Sequence, residues 1–433
     1  MAERRTIEVG ALARVEGEGA LHVTVEDGEV RDLRLRIYEP PRFFEGFLQG
    51  RALEELPDLT ARICGICPVA YQMSSVHAIE KALGITPDPA TRALRRLYNA
   101  GDWMESHLLH MMFLAAPDFL GLDDGMAVAR LHREPVERAL RLRKLGNRIL
   151  SLLGGRPVNP VGVCIGGFHR APTREELSSL AEALRAERGE AEVLLEWFAT
   201  LPVPRRPQDV ELVALRHPDE YPMNEGRIAS SRGLDIAADA FEDTFEELQV
   251  PHSTALHSRI RGGGSYLVGP LARVTLNRER LSPAAGAALE RVADRFATPD
   301  PAASVFARGV EVIQAMDDAL AAIEAVAAAG PVRVPDWTPR VAEGIAVTEA
   351  PRGLLAIRVR GDARGDVEHV RIVPPTSQNQ AQIEADLRAL VPHLLDRPHE
   401  EMQRRCESAI RDYDPCISCA VHFLDLEVER VPS

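Results

Sequence analysis

Six cysteines carry most of the chemistry open to this chain: Cys64, Cys67, Cys164, Cys406, Cys416 and Cys419. Four of them form two C-x-x-C pairs, R-I-C-G-I-C at 62–67 and D-P-C-I-S-C-A-V-H at 414–422. Cysteines three apart share one face of a helical turn, so both sulfurs of a pair can reach one ion. His422 continues the three-residue step from Cys416 and Cys419. By spacing alone, four thiolates suit structural zinc or an iron–sulfur centre. Yet 352 positions separate Cys64 from Cys416, whereas zinc ribbons and fingers space their pairs by ~12–20. A metal joining the two ends of a large core is better read as catalytic. A thioredoxin-like pair would need a βαβ context, which is missing. A secreted disulfide framework would be short and cysteine-dense, and this 433-residue chain is neither.

The elements that must position these thiols read as α+β, mainly α. Residues 6–38 alternate apolar and polar around Asp27-Gly28, as an antiparallel hairpin does. Residues 353–375 repeat the pattern around a Gly/Asp-rich turn. Between them, 68–83, 89–116, 134–153, 173–199, 283–297 and 302–328 carry apolar residues at helical spacing, as do 377–396 and 398–412 beyond. Thr173 followed by Glu175 and Glu176 is an acceptable helix start. R-G-G-G-S at 261–265 lacks the Lys-Ser/Thr of a phosphate loop and is expected to be a tight turn before a buried strand. The expected architecture is one domain, 1–433: a helical bundle flanked by small antiparallel sheets from both ends of the sequence. If those ends meet, the four thiols converge.

Composition narrows the partners. A net charge of −14 argues against a broad nucleic-acid surface. No run of 18 apolar residues appears, so no membrane span is expected. The N-terminus MAERRTIEVGALARVEG lacks the apolar core of a signal peptide, which favours the cytoplasm. No dinucleotide fingerprint is present, so any NAD(P) must be bound by another chain.

The two cysteine pairs resemble the R-x-C-G-x-C and D-P-C-x-x-C-x-x-H signatures of the large subunit of nickel–iron hydrogenases. R-V-E-G at 14–17, E-G-F-L-Q-G-R at 45–51, S-Y-L-V-G-P-L-A-R at 265–273, A-P-R-G at 350–353 and P-P-T-S-Q-N at 374–379 extend the likeness along the chain. The short length and the S-Y-L-V-G-P-L-A-R and P-P-T-S-Q-N segments are most similar to the cytoplasmic group that couples hydrogen to NAD(P) or related carriers. The resemblance implies reversible heterolytic cleavage of H2 at a Ni–Fe centre carrying CO and CN⁻. Cys64, Cys67, Cys416 and Cys419 would bind nickel, with Cys67 and Cys419 also bridging to iron. Soft thiolates beside a Lewis acid and a base fit that chemistry.

Alternation cannot choose between Glu16 and Glu18, but the resemblance implies Glu16 as a proton relay beside a bridging cysteine. It implies Glu45 and His422 as ligands to a second metal, Mg²⁺ or Fe²⁺. It places Arg352 over the centre next to one cyanide, and Pro374, Pro375 and Thr376 at the other. Many relatives have Ser where Pro375 stands, which leaves Thr376 as the donor. Asp414 reads as a helix cap, a partner of Arg352, or both. Two positions depart from the pattern: Tyr71 where many relatives have His, and Ser106 where they carry Asp before His107 and His110. Cys164 and Cys406 match no ligand motif and are expected to be buried structural thiols.

The resemblance also implies an iron–sulfur small subunit, because two leftover cysteines cannot hold a Cys₄ cluster. NAD(P)- or flavin-linked diaphorase subunits would join it, with a maturation endopeptidase that removes 423–433 after His422. A membrane-linked hydrogenase or a hydrogen sensor would share the site. The homologous quinone-site subunit of respiratory complex I typically lacks the four cysteines. A zinc-stabilised scaffold without activity is the reading from a different class.

Overall fold

The structure is a computed structural model and describes residues 4–329, 332 and 334–421. Near the N-terminus, β1 (Arg4–Val9), β2 (Gly19–Glu26) and β3 (Glu29–Ile37) form an antiparallel sheet in that order. Positive φ at Asp27 and Gly28 closes the β2–β3 turn, the backbone a two-residue hairpin needs. Ile7, Val23 and Leu33 lie side by side across the three strands and are buried.

Four long helices make the bundle. They are α2 (Pro89–Leu109), α3 (Arg133–Gly154), α4 (Arg174–Ala199) and α5 (Ser304–Ala329), while α1 (Pro68–Leu83) lies beside them. α5 packs on α2 and α4, and α3 packs on the same two. α5 is buried on every side from Ser304 to Met316, so its sequence there is apolar or internally paired. Asp88 caps α2 through the Thr91 N–H, and Thr173 with Glu176 forms the capping box of α4. Past Leu109 the helix continues as a wider π-type turn, His110–Ala115, and then as Ala116–Leu120.

The second sheet has three antiparallel strands, β4 (Ala342–Ala350), β5 (Gly353–Gly361) and β6 (Val367–Val373). It packs on α1, and β6 leads into α6 (Pro375–Leu390) and then α7 (His399–Arg411). The β5–β6 hairpin matches expectation, but β4 is a strand beyond it. The segment 211–267 adds more short strands. Glu211–Arg216, Arg227–Ser230 and Asp235–Ile236 pair in sequence, with Tyr266–Leu267 parallel to the first. Phe245–Leu248 pairs with His257–Ile260. Arg261–Gly264 is the expected turn: Gly262 has φ 71°, and buried Tyr266 follows. The helix expected at 283–297 is shorter, Pro283–Glu290, followed by a 3₁₀ turn at Ala293–Phe296.

Candidate metal centre

The two cysteine pairs meet. The Sγ atoms of Cys64, Cys67, Cys416 and Cys419 all lie within 4.8 Å of one another, and all four residues are buried. Cys64 is 3.1 Å from Cys67 and 3.5 Å from Cys416, and Cys416 is 2.7 Å from Cys419. Cys67 caps α1, with Pro68 opening the helix, and the Cys64 sulfur accepts the N–H groups of Ile66 and Cys67. Those donors and the positive end of α1 favour thiolate. Thiol donors from Cys416, Cys419 and Cys67 hold Cys64 well below the usual thiol range. Burial, and then the neighbouring thiols, push Cys416 well above it. Four anionic sulfurs cannot share this volume without compensating positive charge. A pair of soft, thiolate-binding metal ions supplies that charge, so the donor set fits a Ni–Fe centre.

The C-terminal pair is held by distant segments. Cys416 forms a bridge with Glu16, and the Ile417 N–H binds the Glu16 carbonyl at 2.9 Å. Gly17 permits the approach: its φ is 87°, and a Cβ there would lie 2.6 Å from the Ile417 Cβ. Glu16 Oε2 accepts from the Ser418 N–H and lies 3.1 Å from the Cys416 sulfur. The resemblance places this carboxylate beside a bridging cysteine. The structure puts it on Cys416, which that assignment makes a nickel-only ligand; the short crossing at Gly17 brings Glu16 to the first cysteine of the pair. Thr376, in the first turn of α6, accepts the Cys416 N–H at 3.0 Å. Pro374 caps that helix and Pro375 opens it.

Arg352 occupies the two-residue β4–β5 turn and is buried. Its Nε donates to the Asp414 carbonyl at 2.8 Å, Nη2 to Asp414 Oδ1 at 3.0 Å and Nη1 to Ser106 Oγ at 3.3 Å. Asp414 is therefore the partner of Arg352; the following 3₁₀ turn, Ser418–Ala420, is capped at Ile417 instead. Burial alone would raise the Asp414 carboxyl, but Arg352, His110 and Arg308 bring it below its usual value. Asp414, Cys416, Cys67 and Cys64 outweigh burial and keep Arg352 firmly charged. Ser106 takes one guanidinium donor, and the Tyr71 hydroxyl faces the Cys419 carbonyl at 3.5 Å. Both departures from the family pattern thus stand next to the centre. His110 binds the Arg411 carbonyl at 2.8 Å, and burial lowers it to about 3.

The quoted motifs support one another. Arg273 donates to the Ala350 and Pro351 carbonyls, fixing the turn that carries Arg352, and pairs with Glu311 and Glu349. Glu311 also binds His107 and the Tyr221 hydroxyl. Asn379 pairs with both backbone groups of Val268, and Gln378 donates to the Leu354 carbonyl. Sequence reading missed Arg308, Glu311 and Glu349. The available signal was the placement of Arg308 and Glu311, three apart, in the otherwise apolar run V-F-A-R-G-V-E-V-I at 305–313.

Glu45 lies in the short helix Phe44–Leu48, and its Oε1 accepts the Ile372 N–H at 2.7 Å. It does not join the thiol cluster. His422 and the tail 423–433 lie outside the described residues. Cys406 is buried, and burial pushes it up to about 12, as expected of a structural thiol. Cys164 is only half-buried, on the two-residue strand Val163–Cys164, and departs from the buried thiol expected there.

A family model described as nickel-dependent hydrogenase matches residues 42–132 and 262–422, which include both cysteine pairs. The sulfhydrogenase 1 alpha subunit of Pyrococcus furiosus is 32% identical over 97% of this chain and 98% of its own length. The corresponding subunit of the F420-non-reducing hydrogenase of Methanothermobacter marburgensis is 30% identical over 96% of this chain and 94% of its own. A solved NAD+-reducing NiFe hydrogenase in the H2-reduced state superposes with a TM-score of 0.88 at 26% identity, covering 98% of this chain and 100% of that one. The chain belongs to the nickel-dependent hydrogenases, as a catalytic large subunit.

Proposed function

We propose that this subunit cleaves H2 heterolytically and reversibly, releases the proton through Glu16, and passes electrons by way of an iron–sulfur partner to NAD(P). The observation that carries this reading is the buried four-thiol cluster with a carboxylate 3.1 Å from one of its sulfurs. When bound, the Ni–Fe centre with CO and CN⁻ supplies the Lewis acid and the electron acceptor. The chain supplies the rest. Cys64, Cys67, Cys416 and Cys419 would all hold nickel, and Cys67 and Cys419 would hold iron as well. The Cys416 sulfur sits where it can hand a proton to Glu16 Oε2, and Glu16 is only partly buried, so the proton has a way out. Arg352 spends three N–H groups on Asp414 and Ser106 and keeps two for an anionic diatomic ligand. Thr376 accepts from Cys416 and retains its own O–H as a donor.

Glu45 and His422 are assigned to a second metal, Mg²⁺ or Fe²⁺, with Glu45 already oriented by the Ile372 N–H. The relatives are named as subunits of larger hydrogenases, which supports an assembly. Arg42 ties the Ile63 carbonyl to the Ser418 carbonyl, exposed Phe43 follows it in sequence, and exposed Phe47 meets edge to face the Phe44 ring that Arg42 covers. Those rings, near the cysteines, suit an iron–sulfur small subunit docking within electron-transfer reach. NAD(P)- or flavin-binding diaphorase subunits and a processing endopeptidase complete the assembly, in the cytoplasm. No helix among the described residues is long and apolar enough to cross a membrane.

Metal analysis joined to hydrogen-dependent dye reduction tests the reading. Nickel and iron together, with activity in the complex and none in the isolated chain, are expected. Zinc alone in an inactive protein would establish the scaffold instead.

A further inference from the structure

A second group of ligating side chains lies away from the thiols. His252, His257 and Glu384 place one ligand atom each within 4.8 Å of the others. His252 Nε2 is 2.8 Å from Glu384 Oε1, and the two imidazole rings meet edge to face, with centroids 5.8 Å apart. His257 is 3% exposed, and its Nε2 has no hydrogen-bond partner. A buried ring nitrogen left unpaired costs free energy unless something binds it. We propose that His252, His257 and Glu384 bind a divalent first-row transition ion, Zn²⁺ by preference.

Each ligand is held on its own support. His257 opens the strand His257–Ile260, and Glu384 lies on α6. The loop between the histidines is pinned to the N-terminal sheet, because Thr254 donates its N–H and its hydroxyl to the Ile37 carbonyl. Glu384 Oε1 also accepts the Leu35 N–H at 2.8 Å. Such restraint sets ligand geometry before the metal arrives. Two imidazoles and one carboxylate suit zinc and its neighbours better than Ca²⁺ or Mg²⁺, which prefer all-oxygen cages. Burial, His252 and Arg259 lower His257 to about 4, so its ring is neutral and its lone pair available at neutral pH. His252 and Glu384 are each 18% exposed, leaving room for the ion to enter and for water to complete its shell. The ion would tie β3, the His257 strand and α6, the helix whose first turn holds Cys416 through Thr376.

The test is metal content in the purified complex, stripped with a chelator and reloaded with Zn²⁺ or Co²⁺. Wild type is expected to take up about one equivalent more than His252→Ala, His257→Ala or Glu384→Gln, as a single three-ligand site requires. The Co²⁺ difference spectrum between wild type and His252→Ala should show nitrogen and oxygen ligation without a thiolate band. Nickel content should be the same in all. His252 is partly exposed, so its variant remains decisive even if His257→Ala fails to fold. Equal zinc in wild type and His252→Ala would overturn the site, and it would do so whether or not the thiols hold Ni–Fe.

Discussion

The two cysteine pairs are built by opposite means. Cys64 and Cys67 sit on a tight turn at the start of α1, and local backbone N–H groups orient the Cys64 sulfur. Cys416 lies just before a short 3₁₀ turn and Cys419 within it, and their restraints come from Glu16, Thr376 and Arg352, three segments far apart in sequence. The first pair can take shape as soon as α1 forms. The second needs most of the fold in place, so it is the limb able to close last over a metal.

The largest effect should come from removing a sulfur. Cys67→Ser and Cys419→Ser both replace a soft ligand with a poor one, and both should abolish nickel retention and hydrogen turnover together. Wild-type turnover in either would break the bridging assignment. Glu16→Gln should keep the metal and slow proton-linked turnover by roughly 10²–10⁴-fold, the usual worth of a positioned acid or base. Undiminished H2/D2 exchange in that variant would remove Glu16 from the proton path.

Asp414→Ala acts on the C-terminal limb alone. It leaves the buried Arg352 guanidinium without its carboxylate and should cost about 3–5 kcal/mol of stability, read as a lower urea midpoint. Met73→Leu, a volume-conserving change in the helix that carries the first pair, should cost under about 1.5 kcal/mol. Equal costs for the two would erase the contrast.

His110 binds the Arg411 carbonyl just ahead of Asp414 and gives the limb a pH dependence. Its folded value, about 3, lies below the ordinary 6.5. Below pH 6.5 the unfolded chain therefore binds the extra proton, and stability falls as pH drops toward 3. His110→Asn should lose less stability than wild type between pH 7 and 4.5, by roughly 2–3 kcal/mol. Parallel loss in both proteins would show that His110 carries no such linkage. The smallest effect is expected from Thr376→Val, about 1 kcal/mol for one hydrogen bond, and the cyanide contact proposed for its hydroxyl predicts a shift in one cyanide infrared band.

What could be read in advance followed from periodicity and local spacing. α1 and α4 and the hairpin at Asp27-Gly28 announce themselves within a few residues. β4 does not: A-E-G-I-A-V-T-E-A is buried on both faces over most of its length, so it lacks the alternation of a half-exposed strand. The strands of 211–267 are two to six residues long, too short for a period to show. At the site, the thiols and Arg352 were legible because their motifs are fixed in sequence. The carboxylates beneath them were not. Glu311 and Glu349 are defined by Arg273, 38 and 76 positions away, and only the fold brings them together.

The proposed activity turns on four thiols from the two ends of the chain holding one Ni–Fe centre. An infrared spectrum of the purified complex tests that most directly, because CO and CN⁻ on iron absorb where polypeptide does not. Those bands are expected in wild type and should be lost in both Cys67→Ser and Cys419→Ser. A wild-type protein with zinc in its four-cysteine site and no such bands would contradict the assignment.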